Sequence, residues 1–173
     1  MDDQEVMAVQ IGRPLRSHGE VVVRCHLGLP VVSRVPPILD DGTPFPTTYW
    51  LSCPLALRRI GRIEAVGGVK AMDARAASEA EFGARLAAAH ARYAAERDAM
   101  NPELEGRRPR GGVGGARRGV KCLHAHYADF AAGHDNPVGE DTARQIDPLD
   151  CAVRCVVATP SGVVANPDWR EPT

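Results

Sequence analysis

The chain is poor in aromatic side chains and has almost no lysine. Aromatic residues make up 5% of its 173 residues, and 19 of its 21 basic residues are arginines. The sequence also lacks an excess of either charge, because its formal net charge is −1. A near-zero net charge excludes a globally basic nucleic-acid-binding protein, although a local basic patch stays open. The arginine bias is typical of GC-rich coding DNA and favours a bacterial, actinobacterial origin.

No apolar run approaches the roughly 18 residues that a transmembrane helix needs. The N-terminus is acidic, and no apolar segment of signal-peptide length follows it. We therefore expect a cytoplasmic protein without a membrane span. Its five cysteines are then reduced, since an odd number without a secretion signal argues against a disulfide framework. Hydrophobic residues make up 44% of the chain, which is enough for a core and excludes wholesale disorder.

Hydrophobic patterning predicts strands towards both ends of the chain and helices between them. Pro54 suits the first position of a helix, and a serine-to-glutamate capping pattern at 78–81 opens a long helix with an apolar stripe. Further helices are predicted from residue 69, at 120–132 and at 140–146. Segments rich in β-branched residues are the predicted strands, 21–25, 31–35, 47–51 and 151–157.

This order of elements predicts an α+β fold, in which a small, mostly antiparallel sheet packs with several helices. We expect a single domain over residues 19–173, preceded by a flexible N-terminus at 1–18. The segment 101–119, rich in glycine, proline and arginine, is predicted to be a flexible internal loop that does not pack. The stripe of the long helix follows mostly three- and four-residue steps through Phe82, Leu86, Ala89, Tyr93 and Met100.

Cysteine and histidine are the residues in which we look for chemistry. Cys122 and His126 stand four apart on the predicted helix, so both face the same side, and Asp129 lies near that side. His124 is rotated away by its two-residue step. Thiolate and imidazole bind zinc or iron, and an added carboxylate is common in catalytic and iron sites. Further ligands are expected from two cysteines at the ends of predicted elements, Cys25 and Cys53.

Other interpretations of these residues stay open. The chain has no C-x-x-C pair, which is the spacing that indicates zinc most strongly, and free cysteines are often buried as small hydrophobic side chains. Cys151 and Cys155 share one side of the predicted last strand, which is typical of core residues. Cys122 and His126 would also suit a catalytic thiol–imidazole pair.

A glycine- and arginine-rich segment precedes the predicted helix at 120–132. Glycines allow close backbone approach, and helix N-termini attract anions, so Arg117, Arg118 and Lys121 are candidate ligands for phosphate, a nucleotide or RNA. The segment is not a Walker A loop, because no strand precedes it and Gly-Lys-Ser/Thr is absent. A solvated linker is the alternative interpretation.

Three segments, residues 42–54, 120–128 and 136–139, resemble the family catalogued as domain of unknown function 501. The resemblance covers most of the chain and implies no activity. It implies a gene neighbourhood with a septum-formation initiator protein and an exopolyphosphatase-like enzyme. Six residues fall on the motifs of the family, Arg24, Cys25, Cys53, Lys121, Cys122 and His124.

The chain departs from the family pattern at two positions. Many members carry Cys-x-Cys-Gly where this chain has His26 in place of the second cysteine, which makes His26 a substitute ligand. Asp129 stands where relatives often carry a histidine, and a carboxylate is also a competent ligand.

Three functions follow as hypotheses, and none of them decides whether the protein is an enzyme. The first is a cytoplasmic metal-binding domain that holds zinc or iron through its cysteines and histidines. The second is a phosphate- or nucleotide-handling enzyme or regulator that uses the glycine- and arginine-rich segment. The third is a non-catalytic interaction module with a protein partner in cell division.

Overall fold

The structure is a computed structural model that describes residues 1–101 and 108–172. Within these residues the chain forms six α-helices, a short 3-10 turn at Val113–Gly115 and two antiparallel sheets. No helix in this part of the chain is both long and apolar enough to cross a membrane. The helices are α1 (Asp3–Ile11), α2 (Pro54–Ala65), α3 (Gly68–Ser78), α4 (Ala80–Ala99), α5 (Leu123–Ala131) and α6 (Pro137–Ile146). The strands are β1 (Glu20–Arg24), β2 (Pro30–Arg34), β3 (Tyr49–Leu51), β4 (Val156–Thr159) and β5 (Gly162–Ala165).

The larger sheet has the order β1-β2-β3, with both pairs antiparallel, and β4 and β5 form a separate hairpin. Ser33 at the centre of the register faces Val21 on one side and Trp50 on the other. The predicted α+β fold is confirmed: small antiparallel sheets pack with helices. The predicted last strand begins only at Val156, and the residues from Cys151 to Cys155 lie in a loop.

Helix α5 lies at the centre of the molecule, where it packs against α6, α2 and β3. Its residues Leu123 and Ala128 are fully buried. The apolar stripe of α4 is confirmed from Phe82 to Tyr93, whose side chains are buried. The Tyr93 hydroxyl accepts a hydrogen bond from the backbone amide of Thr48, the residue before β3, at 2.6 Å. The packing of α5 against α6, α2 and β3 places it at the junction of helices and sheet, so residues at its N-terminus have defined positions.

The N-terminal segment differs from the expectation of a flexible tail. It contains helix α1, and the Asp2 carboxylate caps that helix by accepting the amides of Gln4 and Glu5 at 2.9 and 3.2 Å. Val6 is 1% exposed and packs with Leu29 and Val156. Only Val6 and Met7 of α1 are buried, and two adjacent apolar residues do not form a periodic pattern that predicts a helix. The apolar partners of Val6 are distant in the chain.

The glycine- and arginine-rich segment also differs from the expectation of a loop that does not pack. The part at 102–107 lies outside the described residues, but Val113 and Ala116 are buried further on. His90 Nδ1 accepts the Val113 amide at 3.0 Å. A Cβ at Gly112 would stand 2.3 Å from the His90 ring, so glycine is what allows this close approach. The glycines thus serve packing as well as turning.

Some helices begin or end at other residues than the local sequence signals predicted. The capping pattern at 78–81 does not open α4, because Ser78 ends α3 and its hydroxyl donates to the Ala74 carbonyl at 3.0 Å. The predicted helix at 120–132 begins only at Leu123, and Cys122 is its extended N-cap residue. This last shift decides which side chains meet at the candidate site.

Candidate metal centre

The candidate site lies where the end of α2 meets the start of α5. Cys122 has extended backbone angles, φ −160° and ψ 122°, directly before the first turn of α5. The Glu64 carboxylate in the last turn of α2 accepts the Leu123 amide at 2.6 Å. A carboxylate is favourable at this position because the first amides of a helix lack intrahelical partners and carry partial positive charge.

Three side chains of different chemistry converge on one point. The Cys122 Sγ lies 3.6 Å from His124 Nδ1, and Glu64 Oε1 lies 3.3 Å from the same nitrogen. The three ligand atoms are all within 4.8 Å of one another, and in residues 1–101 and 108–172 no other three Cys, His, Asp or Glu side chains meet this distance. The site is a mixed thiol, imidazole and carboxylate cluster.

The backbone of α2 orients the imidazole. His124 Nε2 lies 3.2 Å from the Leu57 carbonyl, which can only accept, so Nε2 carries a proton and donates it. Nδ1 is therefore the nitrogen available to Cys122 and Glu64. In metal sites a ligating histidine commonly donates its other ring N–H to a backbone carbonyl in this way.

The electrostatics of the site favour a cation at Nδ1. Burial disfavours the charged ring, but the contacts of His124 with Cys122, Glu64 and the Leu57 carbonyl outweigh it and raise the pKa of His124 to about 9. The side chains of His124 and Glu64 are 24% and 26% exposed, so solvent reaches the cluster. In the protein alone a proton meets this demand for positive charge.

Comparison with known proteins places the chain in a family. Residues 21–144, more than half of the chain, match the family described as "Protein of unknown function (DUF501)". The chain belongs to DUF501. It matches no curated protein and no solved structure significantly. The DUF501 segment contains Glu64, Cys122 and His124, and it ends before Cys151.

Two of the predicted ligands, His126 and Asp129, are not brought to this cluster of the DUF501 protein. Both are fully buried on the side of α5 that faces α6. His126 Nδ1 donates to the Asn136 side-chain oxygen at 3.0 Å, and Asn136 donates to Asp129 Oδ2 at 2.8 Å. The sequence prediction assumed that Cys122 is helical. Because it is an extended cap residue, the four-residue spacing does not bring it to the side of His126.

The buried group forms a polar network within the core. Arg92 donates to Asp129 Oδ2 at 2.5 Å, and the Asn136 oxygen also caps α6 by accepting the Gly139 amide at 3.0 Å. Burial lowers the pKa of His126 to about 4, so its ring is neutral near pH 7. Burial raises the pKa of Asp129 against the opposing effect of Arg92 and Asn136. The network ties α4, α5 and α6 together.

The predicted ligands Cys25 and Cys53 lie in a different place from Cys122. They line a small cavity together with Cys151 and Cys155, and Cys122 is not part of its lining. The cysteines expected to share one site therefore lie in two places: Cys122 lies beside Glu64 and His124, and Cys25 and Cys53 lie at the separate cavity.

The predicted anion ligands Arg117, Arg118 and Lys121 are all exposed in the segment before α5. The backbone donors beside them are already paired inside the molecule, because Asp73 accepts the Val120 amide at 2.6 Å and Glu64 accepts that of Leu123. Anion binding by these three residues stays a prediction.

The sequence prediction missed Glu64 altogether. The one local signal was its place in the last turn of α2, where a negative charge is unfavourable to the helix dipole. An acidic residue at such a position suggests a partner outside the helix, and here the partner is the N-terminus of α5.

Proposed function

We propose that this DUF501 protein binds a divalent transition metal, zinc in the first place and iron as the alternative, through Glu64, Cys122 and His124. The observation that carries the proposal is the orientation of His124. Its Nδ1 faces both Cys122 Sγ and Glu64 Oε1, while Nε2 is held by the Leu57 carbonyl. One cation in place of the proton would satisfy all three ligand atoms.

The ligand set favours zinc on chemical grounds. Thiolate, imidazole and carboxylate all bind zinc, and a site with three protein ligands keeps a fourth position for water or a substrate. Two hard ligands or a facial pair of histidines would favour iron instead, and this site has one histidine. The three-ligand arrangement is that of catalytic zinc sites.

Metal titration of the full chain tests the proposal. Chelator-treated protein is titrated with zinc by calorimetry, as wild type and as Cys122→Ser, His124→Gln and Glu64→Gln. Glu64→Gln keeps an oxygen for the Leu123 amide but removes the charge, so it separates ligation from helix capping. We expect each variant to bind zinc at least tenfold more weakly at this site, the size of effect usual for altered metal shells.

His134→Gln is the matched control, because the side chain of His134 is 22% exposed and hydrogen-bonded to Tyr49 outside the site. Wild-type zinc affinity in all three site variants would overturn the proposal.

The same geometry favours a second function, nucleophilic chemistry at Cys122. The thiol lies at a helix N-terminus beside His124, and both features promote a reactive thiolate. Alkylation of the metal-free protein, followed by peptide mass spectrometry, tests this. Cys122 is expected to react faster in wild type than in His124→Gln, and equal rates would exclude an activating pair.

The hypotheses of phosphate handling and of a division-associated partner rest on the sequence and on the family resemblance. A thermal-shift panel of nucleotides and polyphosphate tests the first, and a pull-down from a host lysate tests the second. No shift with any ligand, or no reproducible partner, would count against the respective hypothesis.

A further inference from the structure

Four of the five cysteines line one small cavity. Cys25 follows β1, Cys53 is the N-cap residue of α2, and Cys151 and Cys155 lie in the loop before β4. The cavity holds about 10 Å³, which is the space of a single water-sized particle. Thiols that are distant in sequence therefore come together around one small cavity.

Backbone anchors on both sides hold the walls of this cavity in place. The Cys25 amide donates to the Leu29 carbonyl at 2.9 Å, which fixes the turn between β1 and β2. His26 Nε2 lies 3.0 Å from the Cys151 carbonyl, and Arg154 Nε donates to the Leu27 carbonyl at 3.1 Å. The turn and the loop before β4 are thus joined directly, which brings the cysteines of the two segments together.

Two of the sulfur atoms accept N–H groups from side chains. Trp169 Nε1 donates to Cys151 Sγ at 3.3 Å, and Gln10 Nε2 donates to Cys155 Sγ at 3.5 Å. Backbone amides at the start of α2 lower the pKa of Cys53, although the Cys53 side chain makes no capping hydrogen bond there. N–H donors stabilise negative charge on sulfur, and such contacts around thiolate ligands tune and orient metal sites.

Two of these thiols, Cys53 and Cys155, have raised pKa values. Burial raises the pKa of Cys53 to about 11, and neighbouring Cys155 and Cys151 contribute in the same direction against the lowering effect of the amides. Burial also raises the pKa of Cys155. A divalent cation would replace the thiol protons and remove the mutual repulsion of the thiolates.

We infer that Cys25, Cys53, Cys151 and Cys155 form a second, structural metal site that takes zinc as a tetrathiolate. Zinc binding releases one proton from each of the four thiols and leaves a complex of charge −2. No three of these sulfurs lie within 4.8 Å of one another. A tetrahedral site with Zn–S distances of about 2.3 Å needs sulfurs about 3.8 Å apart. Zinc binding by these four thiols would therefore require the turn and the loop to move closer together.

This site is independent of the proposed function. It shares no residue with the cluster of Glu64, Cys122 and His124, and two of its thiols lie beyond the segment 21–144 that matches the family. All four positions of a tetrahedral ion are filled by protein, which is the pattern of structural rather than catalytic zinc. Its role would be to join the β4–β5 hairpin to the larger sheet.

Cobalt titration of the full chain under anaerobic conditions tests the inference, because tetrahedral cobalt bound to thiolates has intense visible and near-ultraviolet absorption. Three proteins are compared: wild type, Cys151→Ser/Cys155→Ser and Cys122→Ser/His124→Gln. We expect the Cys151/Cys155 double variant to lose most of the thiolate-to-cobalt charge-transfer band. The Cys122/His124 variant should keep most of it, so the two sites succeed or fail separately.

A second measurement does not depend on whether the variants fold. Wild-type protein is alkylated with and without zinc, and the modified cysteines are mapped by mass spectrometry. Zinc is expected to protect Cys25, Cys53, Cys151 and Cys155 together. Equal alkylation of these four thiols with and without zinc would overturn the inference. A mass loss of two hydrogens without metal binding would instead show a disulfide and would also overturn it.

Discussion

His124 and His126 are two residues apart on α5, yet their surroundings shift their pKa values in opposite directions. His124 is partly exposed beside Cys122 and Glu64, and its pKa is raised to about 9. His126 is fully buried with one neutral partner, Asn136, and its pKa is lowered to about 4. The surroundings of His124 thus favour a positive charge, and those of His126 disfavour one.

The difference shows that residue type alone does not define a site. The same imidazole group is a candidate metal ligand at one position and a neutral hydrogen-bond donor at the other. What separates them is the balance between burial, which disfavours charge, and anionic partners, which favour it. Variants on each side of α5 can therefore test whether the two regions have separate roles.

The largest effect is expected from Asp129→Ala on the buried side. The change leaves the Arg92 guanidinium and the Asn136 amide without their acceptor in the core. We expect the free energy of unfolding to fall by about 3–5 kcal/mol, as when one partner of a buried ion pair is removed. Urea denaturation measures it.

Glu96→Ala is the control for this change, because Glu96 also pairs with Arg92, at 2.9 Å, but from a more exposed position. Its loss is expected to lower the free energy of unfolding by less than about 1 kcal/mol. Similar losses for Asp129→Ala and Glu96→Ala would show that the buried network does not hold α5 in place.

The next largest effect on the free energy of unfolding is expected from zinc binding at Glu64, Cys122 and His124. If zinc binds only the folded protein, free zinc at 100 times the dissociation constant raises the free energy of unfolding by about 2.7 kcal/mol. We expect His124→Gln to lower this gain, and His134→Gln to keep it. Chelator-treated samples with and without zinc are compared by urea denaturation, and an identical gain in both variants would place the metal elsewhere.

A smaller effect is expected on the acid side of the stability profile. The ordinary pKa of histidine is 6.5, and that of His126 in the folded protein is about 4. The unfolded chain therefore takes up the proton first, and the contribution of neutral His126 is complete above pH 6.5 and lost as the pH falls towards 4.

His126→Gln should flatten the decline of stability over this range by up to about 1.4 kcal/mol per pH unit. The slope is obtained from urea denaturation between pH 4 and 7. His18→Gln, which removes an exposed histidine, is the control. An unchanged slope in His126→Gln would mean that His126 is accessible to protons in the folded state.

The smallest effect is expected on the alkaline side, because His124 is partly exposed and solvent screens its contacts. The folded pKa of about 9 lies above the ordinary value of 6.5. The stabilising charge is therefore complete below pH 6.5 and lost as the pH rises through about 9.

In chelator-treated protein, His124→Gln should weaken the fall of stability between pH 6.5 and 9. Guanidinium-free conditions at low salt make this change easiest to detect, since salt screens partly exposed charges. A profile identical to wild type would contradict a charged His124 between Cys122 and Glu64.

Local sequence signals predicted the elements whose pattern is strong within one segment. Pro54 begins α2 as expected, and the stripe from Phe82 to Tyr93 is the buried side of α4. They failed for α1, because its buried residue Val6 packs against Leu29 and Val156, which are distant in the chain. They also failed at Ser78, where the serine serves the end of one helix and does not cap the next.

The candidate site was predictable in part. Cys122 and His124 lie close together in the chain, and the sequence marked both as candidate ligands. Glu64 reaches them only through the packing of α2 against α5. No pattern within either helix reports that contact.

By itself the sequence determined which chemical groups are present, the α+β class and the course of the helices with regular apolar spacing, because these depend on residues near one another in the chain. Only the tertiary structure decided that Cys122 lies beside Glu64, and that Cys25 and Cys53 line one cavity with Cys151 and Cys155. It also decided that His126 is buried beside Asn136. The physical reason is that ligand geometry and burial arise from contacts between distant segments, which local propensity does not encode.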